Sequence, residues 1–296
     1  MTIEQLYKQY VDQLRNIYDE REAANITDWV FENITGVKRI DRILNRETQL
    51  GDVIVRQLHS TLEQLLLHKP VQYVLGEAWF YKMKFFVNEH VLIPRPETEE
   101  LVEWTIEDVR CTMYDVRSKK ASLLPAQTLN VIDVGTGSGC IAIALKKEIA
   151  EARILGIDMS AEALSIAKQN AAFQNVNIDL LQIDFLSEKS WDDLPKFQVI
   201  VSNPPYIPEK EKNNLEQNVV AYEPHAALFV SDNDPFIFYR KIAEFAAKHL
   251  EPNGKIYVEV HEKYAGEVAA IFSKYHFTPT IKKDIYGRER MICAEH

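Results

Sequence analysis

The 296-residue sequence lacks an excess of positive charge: 34 lysines and arginines face 44 aspartates and glutamates, for a formal net charge of -10 at pH 7. Broad, sequence-indifferent binding to nucleic acid rests on neutralising phosphates with basic side chains, so that class of function is disfavoured, although a local basic patch is compatible with the total. Cysteine is scarce. Cys111, Cys140 and Cys293 are odd in number and far apart. They supply neither a disulfide framework nor the paired spacing of a zinc site, and they suit a reducing cytoplasm. Nowhere do about 18 apolar residues run uninterrupted, and Met1-Thr2-Ile3-Glu4-Gln5 has neither the basic flank nor the apolar stretch of a signal peptide. Neither a membrane span nor export is expected. The eight histidines form no H-E-x-x-H or comparable cluster, which leaves metal catalysis without support. What the sequence does have is 46% apolar content over a length that accommodates one large domain and one smaller.

Thr2-Ile3-Glu4-Gln5 reads as a capping box that opens a helix carrying Ile3, Leu6, Tyr7, Tyr10, Leu14 and Ile17 at helical spacing. Ile26, Trp29, Val30 and Ile34 predict a second helix ending near Gly36. Ile40 and Leu44 fit a short third, and Ile54, Leu58, Leu62, Leu65 and Leu66 mark a longer one stopped by Pro70. Residues 1–72 are therefore expected to form a small helical domain, which holds no catalytic cluster and reads as a packing or partner-docking module. Over 73–94 the pattern turns to short β-type runs, Trp79-Phe80-Tyr81 and Phe85-Phe86-Val87, on either side of Lys82-Met83-Lys84, and predicts a hairpin connector. Pro96 then opens a helix with acids at its positive end and Leu101, Val102 and Trp104 on its apolar side. After a polar stretch around Arg117 to Gln127, strands and helices alternate, the pattern of a mostly parallel sheet covered on both faces.

The first such unit is a strand, Leu129 to Val134, a loop, Gly135-Thr136-Gly137-Ser138-Gly139, and a helix from Cys140 to Lys147. Glycines permit unusual φ values and close approach of a ligand to the backbone, and the helix start offers free N–H groups. About twenty residues on, the strand Arg153 to Asp158 ends in a carboxylate where dinucleotide-type folds hold ribose hydroxyls. Together these predict a nucleoside site. The glycines follow GxGxG rather than GxGxxG, which makes a pyrophosphate ligand less suitable. Asp133 either orients the loop amides, meets a cationic ligand or simply caps. A third strand ends at Asp184-Phe185, where Asp184 is placed to accept an adenine amino group and Phe185 to cover its ring, unless both are ordinary loop structure.

A fourth strand, Phe197 to Ser202, delivers Asn203-Pro204-Pro205-Tyr206 to the same edge. Proline has no N–H and keeps the residue before it out of the α conformation, so this loop is stiff and rich in acceptors. The Asn203 amide oxygen and the Pro204 carbonyl each offer to accept one N–H of a planar amino group, with the Tyr206 ring beside that plane. Alone, the tetrapeptide reads equally well as a proline turn; beside a nucleoside site it points to S-adenosylmethionine and methyl transfer to nitrogen. A long loop from Ile207 to Phe229 follows. Beyond it come a helix near Pro235 to Leu250, a strand Lys255 to Val260, a helix near Tyr264 to Tyr275, and two strands turned at Tyr286-Gly287.

Over nearly its whole length the chain resembles the release-factor glutamine methyltransferases, the PrmC or HemK family. The resemblance is carried by the helical N-terminal domain, Pro70 to Gly76, Ile93-Pro94-Arg95-Pro96-Glu97-Thr98-Glu99, the glycine loop, Asn203 to Tyr206, Tyr222-Glu223-Pro224 and Tyr286-Gly287-Arg288-Glu289-Arg290. It implies a Rossmann-like seven-stranded class I S-adenosylmethionine-dependent methyltransferase domain over 95–296, preceded by a helical release-factor docking domain, 1–72, and the hairpin connector, 73–94. The implied reaction is N5-methylation of the glutamine in the Gly-Gly-Gln motif of class I peptide chain release factors, in the cytoplasm, with no direct role for nucleic acid, membrane or metal. Asn203, Pro204, Pro205 and Tyr206 would carry the chemistry. Gly135, Thr136, Gly137, Ser138, Gly139, Asp158, Asp184, Phe185 and again Asn203 would hold the cofactor. The segment with Arg95, Glu97 and Thr98 would cover the cofactor or the substrate's way in, or act as a structural brace. Departures from the family pattern are the stretch after Ala227-Leu228, Lys82-Met83 in the hairpin, and Val260-His261, none of them among the reacting groups. The alternatives are an N-methyltransferase acting on a nucleobase amino group and a non-catalytic nucleoside-binding module.

Overall fold

The computed structural model describes residues 1–118 and 129–296, and side chains for all of these but 112–118. Most of the polar stretch before the first unit of the sheet thus lies outside the described residues. The chain forms two compact units, one of Met1–Glu77 with Leu215–Tyr222, the other of Ala78–Asn214 with Glu223–His296.

In the first unit the Thr2 hydroxyl accepts the Gln5 N–H and the Gln5 side chain accepts the Thr2 N–H, which closes the capping box of α1 (Ile3–Leu14). The second helix, α2 (Glu20–Thr35), starts on an Asp19 cap and ends at Gly36, whose φ of +69° is the left-handed turn that glycine supplies without strain. In α3 (Arg39–Leu44) the apolar residues that mark the helix in sequence stay in solvent: Ile40 is 72% and Leu44 77% exposed. The buried residue is Arg42, which pairs with Asp28 and lies 4.0 Å over the Tyr7 ring. The carboxylate and the aromatic face offset part of the cost of burying the guanidinium, one of whose nitrogens, Nη1, has no hydrogen-bond partner among the described residues. Leu58, Leu62 and Leu65 of α4 (Asp52–Leu66) complete the core with Tyr10 and Phe31. A short α5 (Val71–Leu75) then stops at Gly76, φ +69°. In the same unit the Tyr222 hydroxyl donates to the Leu67 carbonyl at 2.7 Å.

The hairpin β1 (Glu77–Phe80) and β2 (Met83–Phe86) turns at Tyr81-Lys82, one residue earlier than the sequence pattern predicts. Both turn residues have positive φ, +49° and +61°, as a two-residue hairpin loop requires, and the Tyr81 N–H is held by Glu99 at 2.9 Å. That acceptor stands at the start of α6 (Pro96–Ser118). The longer elements that follow are β3 (Asn130–Val134), α7 (Cys140–Glu148), β4 (Arg153–Asp158), α8 (Ala161–Phe173), β5 (Asp179–Gln182), β6 (Phe197–Ser202), α9 (Ile237–His249), β7 (Leu250–Glu259), α10 (Ala265–Lys274), β8 (Thr278–Lys283) and β9 (Glu289–Glu295), with shorter strands and helical turns between β6 and α9.

Seven strands form one sheet in the order β8-β9-β7-β6-β3-β4-β5, parallel from β7 to β5, with the β8–β9 hairpin antiparallel along one side. Period-two alternation divides the strands between two apolar layers, interrupted on β6 by a register shift between Phe197 and Val199. Ile132, Val134, Phe197, Ile200, Ile256 and Val258 pack on Ile242, Phe245, Val268 and Phe272 of α9 and α10. Val131, Val199, Val201 and Tyr257 pack on Leu101, Val102 and Ile106 of α6 and on α7. The strand order reverses between β3 and β6, so the crevice for a ligand opens at their carboxyl ends. Among the described residues no helix is long and apolar enough to cross a membrane.

Candidate active site

At that crevice Val134 and Ser202 are register partners, and the Ser202 hydroxyl donates to the Val134 carbonyl at 2.7 Å. The glycine loop and Asn203-Pro204-Pro205-Tyr206 therefore leave neighbouring strands side by side. Gly135, Gly137 and Gly139 have φ of +74°, +53° and +79°. A Cβ at Gly135 or Gly137 would meet nothing closer than 4.0 Å, so the backbone there is open to a ligand, whereas at Gly139 it would sit 3.1 Å from the Ala167 Cβ, where α7 packs on α8. Thr136 and Ser138 are buried and turn away from that open side. The loop thus presents its backbone rather than its side chains.

Asp133 lies beneath the loop with no exposure. Its Oδ2 accepts the Thr136 hydroxyl at 2.7 Å and the Ala142 N–H at 3.2 Å, while Oδ1 has no hydrogen-bond partner among the described residues. Burial pushes this carboxyl up to about 7, against the pull of those two hydrogen bonds. Gly156 on β4 makes room for the arrangement, because a Cβ there would stand 2.9 Å from the Thr136 Oγ1. At the end of β4, Asp158 accepts the Gly137 N–H at 2.9 Å and the Ser160 N–H at 3.0 Å, one on each oxygen.

Beyond β5, Asp184 is exposed and accepts the Leu186 N–H at 3.1 Å. The Phe185 ring is 6% exposed and packs on Trp191 and Phe245, with centroids 5.3 and 5.4 Å away, so most of it belongs to the core. The Trp191 indole N–H donates to the Phe185 carbonyl at 3.0 Å, a contact between residues six apart that fixes the ring inward.

The Asn203 side chain donates from Nδ2 to the Thr98 hydroxyl at 3.0 Å. Thr98, on the first turn of α6, donates in turn to Glu259 Oε2 at 2.5 Å. The Tyr206 hydroxyl donates to Glu259 Oε1 at 3.1 Å, and the Tyr239 hydroxyl to the Glu259 backbone carbonyl at 3.0 Å. Glu259 is 1% exposed; burial raises its pKa, opposed by the Thr98 and Tyr206 hydrogen bonds and by the Arg290 charge. His261 faces the Tyr206 ring edge-on at 6.0 Å. Arg95 and the buried Glu223 form an ion pair at 2.5 Å, and the second Glu223 oxygen accepts the Ile93 N–H at 3.3 Å. The Arg95 segment is thereby fastened to the end of the loop that follows Tyr206.

Glu259 and Asn170 have no role in the reading from sequence, and Glu223 enters it only as part of the Tyr222-Glu223-Pro224 motif. Glu259 had a signal: like Asp158, it is an acid closing an apolar strand at the carboxyl edge. Asn170 had none. Fully buried, it accepts the Phe86 N–H at 2.6 Å and donates to the carbonyls of Phe86 and Ser138, both at 2.9 Å, so one amide ties the hairpin to the glycine loop.

Residues 5–76 match the PrmC N-terminal domain and residues 120–228 the Methyltransferase small domain. The release factor glutamine methyltransferase of Flavobacterium psychrophilum is 42% identical over 293 residues, which span 99% of this chain and 98% of that one. The chain belongs to the release factor glutamine methyltransferase family. Other members similar to it are those of Streptococcus pneumoniae, 36% identical over 100% of this chain and 99% of its own, and Bacteroides thetaiotaomicron, 34% identical over 96% and 97%. The family likeness spans both compact units. It takes in the Ile93 to Glu99 segment and the Asn203 loop, whose side chains meet at Thr98 and Asn203.

Proposed function

We propose that the chain methylates the side-chain nitrogen of the glutamine in the Gly-Gly-Gln motif of class I peptide chain release factors, with S-adenosylmethionine as methyl donor. The observation that carries this reading is the 42% identity, over nearly the whole of both chains, to a release factor glutamine methyltransferase. The orientation of Asn203 fits it, since with Nδ2 engaged by Thr98, Oδ1 is the atom left to meet a substrate amino group.

The residues at the sheet edge fit the cofactor. The open backbone at Gly135 and Gly137 admits a nucleoside. The buried, unpartnered Oδ1 of Asp133 suits an ammonium, and each Asp158 oxygen keeps a lone pair for a ribose hydroxyl. Asp184, with one oxygen committed to the Leu186 N–H, keeps the other for an adenine amino group. When bound, S-adenosylmethionine supplies an electrophilic methyl group on a sulfonium. A carboxamide nitrogen is a poor nucleophile because its lone pair is delocalised into the carbonyl, so the chain's residues act by placement. Asn203 Oδ1 and the Pro204 carbonyl accept the two N–H bonds of the substrate amide, hold the nitrogen at the edge where the glycine loop opens, and stabilise positive charge as it develops there. Pro205, with its φ fixed by the ring, keeps the loop that presents this carbonyl stiff. Tyr206, held by Glu259, packs beside the amide plane.

The test is to incubate the protein with radiolabelled S-adenosylmethionine and a release factor, a Gln-substituted release factor, DNA and RNA in parallel. Label is expected on the native release factor alone. Label on nucleic acid and none on the release factor would overturn the assignment in favour of a nucleobase substrate.

A further inference from the structure

A carboxamide side chain has nearly the same shape in two orientations. Turned by half a revolution about its last bond, Asn203 would offer a donor NH2 where it now offers an acceptor oxygen, and a socket for two substrate N–H bonds works in one orientation only. The loop itself does not decide between them. The neighbours that do are Glu259 at the end of β7 and Thr98 at the start of α6, 1% and 2% exposed. Both Glu259 oxygens accept, Oε2 from the Thr98 hydroxyl and Oε1 from the Tyr206 hydroxyl. The single Thr98 proton is committed to that carboxylate, so its oxygen can only accept, and it takes the Asn203 amide at 3.0 Å.

We propose that Glu259 and Thr98 are positioning residues that set the donor–acceptor polarity of the Asn203 socket and, through Tyr206, its second wall. The inference rests on the reading of Asn203 Oδ1 as a substrate acceptor and extends it to specificity. A socket made of two acceptors takes a nitrogen bearing two protons. Once one proton has been replaced by a methyl group, a single N–H is left for two acceptors, and a buried acceptor is left unpaired. The polarity fixed by Glu259 therefore limits the reaction to one methyl group per nitrogen. It also rejects a hydroxyl, which has one proton, and a carboxylate, which has none.

Thr98→Val keeps the shape but removes both hydrogen bonds, and Thr98→Ser keeps the hydroxyl. For Thr98→Val, kcat on the release factor is expected to fall at least about tenfold, with the affinity for S-adenosylhomocysteine within about twofold of wild type; Thr98→Ser is expected to recover most of the loss. Glu259→Gln puts an NH2 against Thr98 or Tyr206, so one of these hydroxyls has to turn, and kcat is expected to fall at least as far. The side-chain ¹⁵NH2 signal of Asn203, assigned by its loss in Asn203→Asp, provides a readout without substrate. One of its protons should exchange slowly with solvent in wild type and Thr98→Ser and fast in Thr98→Val. Unchanged kcat in a folded Thr98→Val, or Asn203 protons in wild type that both exchange like those of a surface asparagine, overturns the inference. The exchange measurement decides it even if the release factor is not the substrate, since label transfer to the release factor tests that reading separately. A dimethylated glutamine in the wild-type product would remove the specificity argument.

Discussion

Asp133 is a carboxyl group with no exposure and one oxygen without a partner among the described residues. Its acid form is favoured by burial, from an ordinary value near 3.8 up to about 7. A group whose folded pKa lies above its unfolded one stabilises the fold below the unfolded value, and that contribution is lost as pH rises through the folded value. The stability difference between the ligand-free wild type and Asp133→Asn is therefore expected to shift against the wild type between pH 4 and 7, by on the order of 4 kcal/mol at most. Denaturant unfolding of the two proteins across that range checks it. Asn203 makes a different prediction at the same scale. Asn203→Ala should lower kcat about 100-fold and leave cofactor affinity nearly unchanged, because the glycine loop and Asp158 are untouched. Kinetics on a release factor with calorimetry on S-adenosylhomocysteine separate the two effects. A variant with near-normal turnover would remove Asn203 from the mechanism.

Elements are held to the site by residues remote in sequence, and it is there that single changes have structural consequences. Gly156→Ala places a Cβ 2.9 Å from the Thr136 Oγ1 and 3.0 Å from Leu180 Cδ2. Moving Thr136 breaks its bond to Asp133, so a loss of about 1–3 kcal/mol is expected, together with weaker binding of S-adenosylhomocysteine. Asn170→Ala strips hydrogen bonds from three backbone groups of β2 and the glycine loop. About 1–3 kcal/mol of destabilisation for each group left buried and unsatisfied is the scale to expect in a urea melt. These ties also explain what the sequence does and does not disclose. The capping box of α1, the glycine stop of α2 and the strand–loop–helix around Gly135 depend on residues within a few positions of each other, and each was readable. The hairpin turn was misplaced because Tyr81-Lys82 lacks the Asn-Gly type of turn signal, and the side chain that holds its first N–H, Glu99, stands 18 residues away. The packing of Phe185 is not legible in the sequence because an aromatic residue next to a strand's carboxyl edge faces either ligand or core, and its core neighbours Trp191 and Phe245 lie 6 and 60 positions further on. The Thr98–Glu259 contact joins residues 161 apart, beyond any local pattern.

For the whole molecule, net charge and chain order are the informative features. A formal charge of -10 makes long-range attraction to a polyanion unfavourable. An excess of duplex DNA or RNA is expected to leave release-factor methylation unchanged at low salt, and inhibition that disappears on adding salt would instead reveal a local basic surface. The order of the chain bears on synthesis. The helical unit is discontinuous, since Leu215–Tyr222 belongs with Met1–Glu77 and the Tyr222 hydroxyl is bonded to the Leu67 carbonyl. On a ribosome, where chains emerge from the N-terminus onward, the four strands β3 to β6 are made before the first unit receives its last piece. A fragment ending at Glu77 lacks that piece. The part of the protein that is born first is the part that has to wait for its completion.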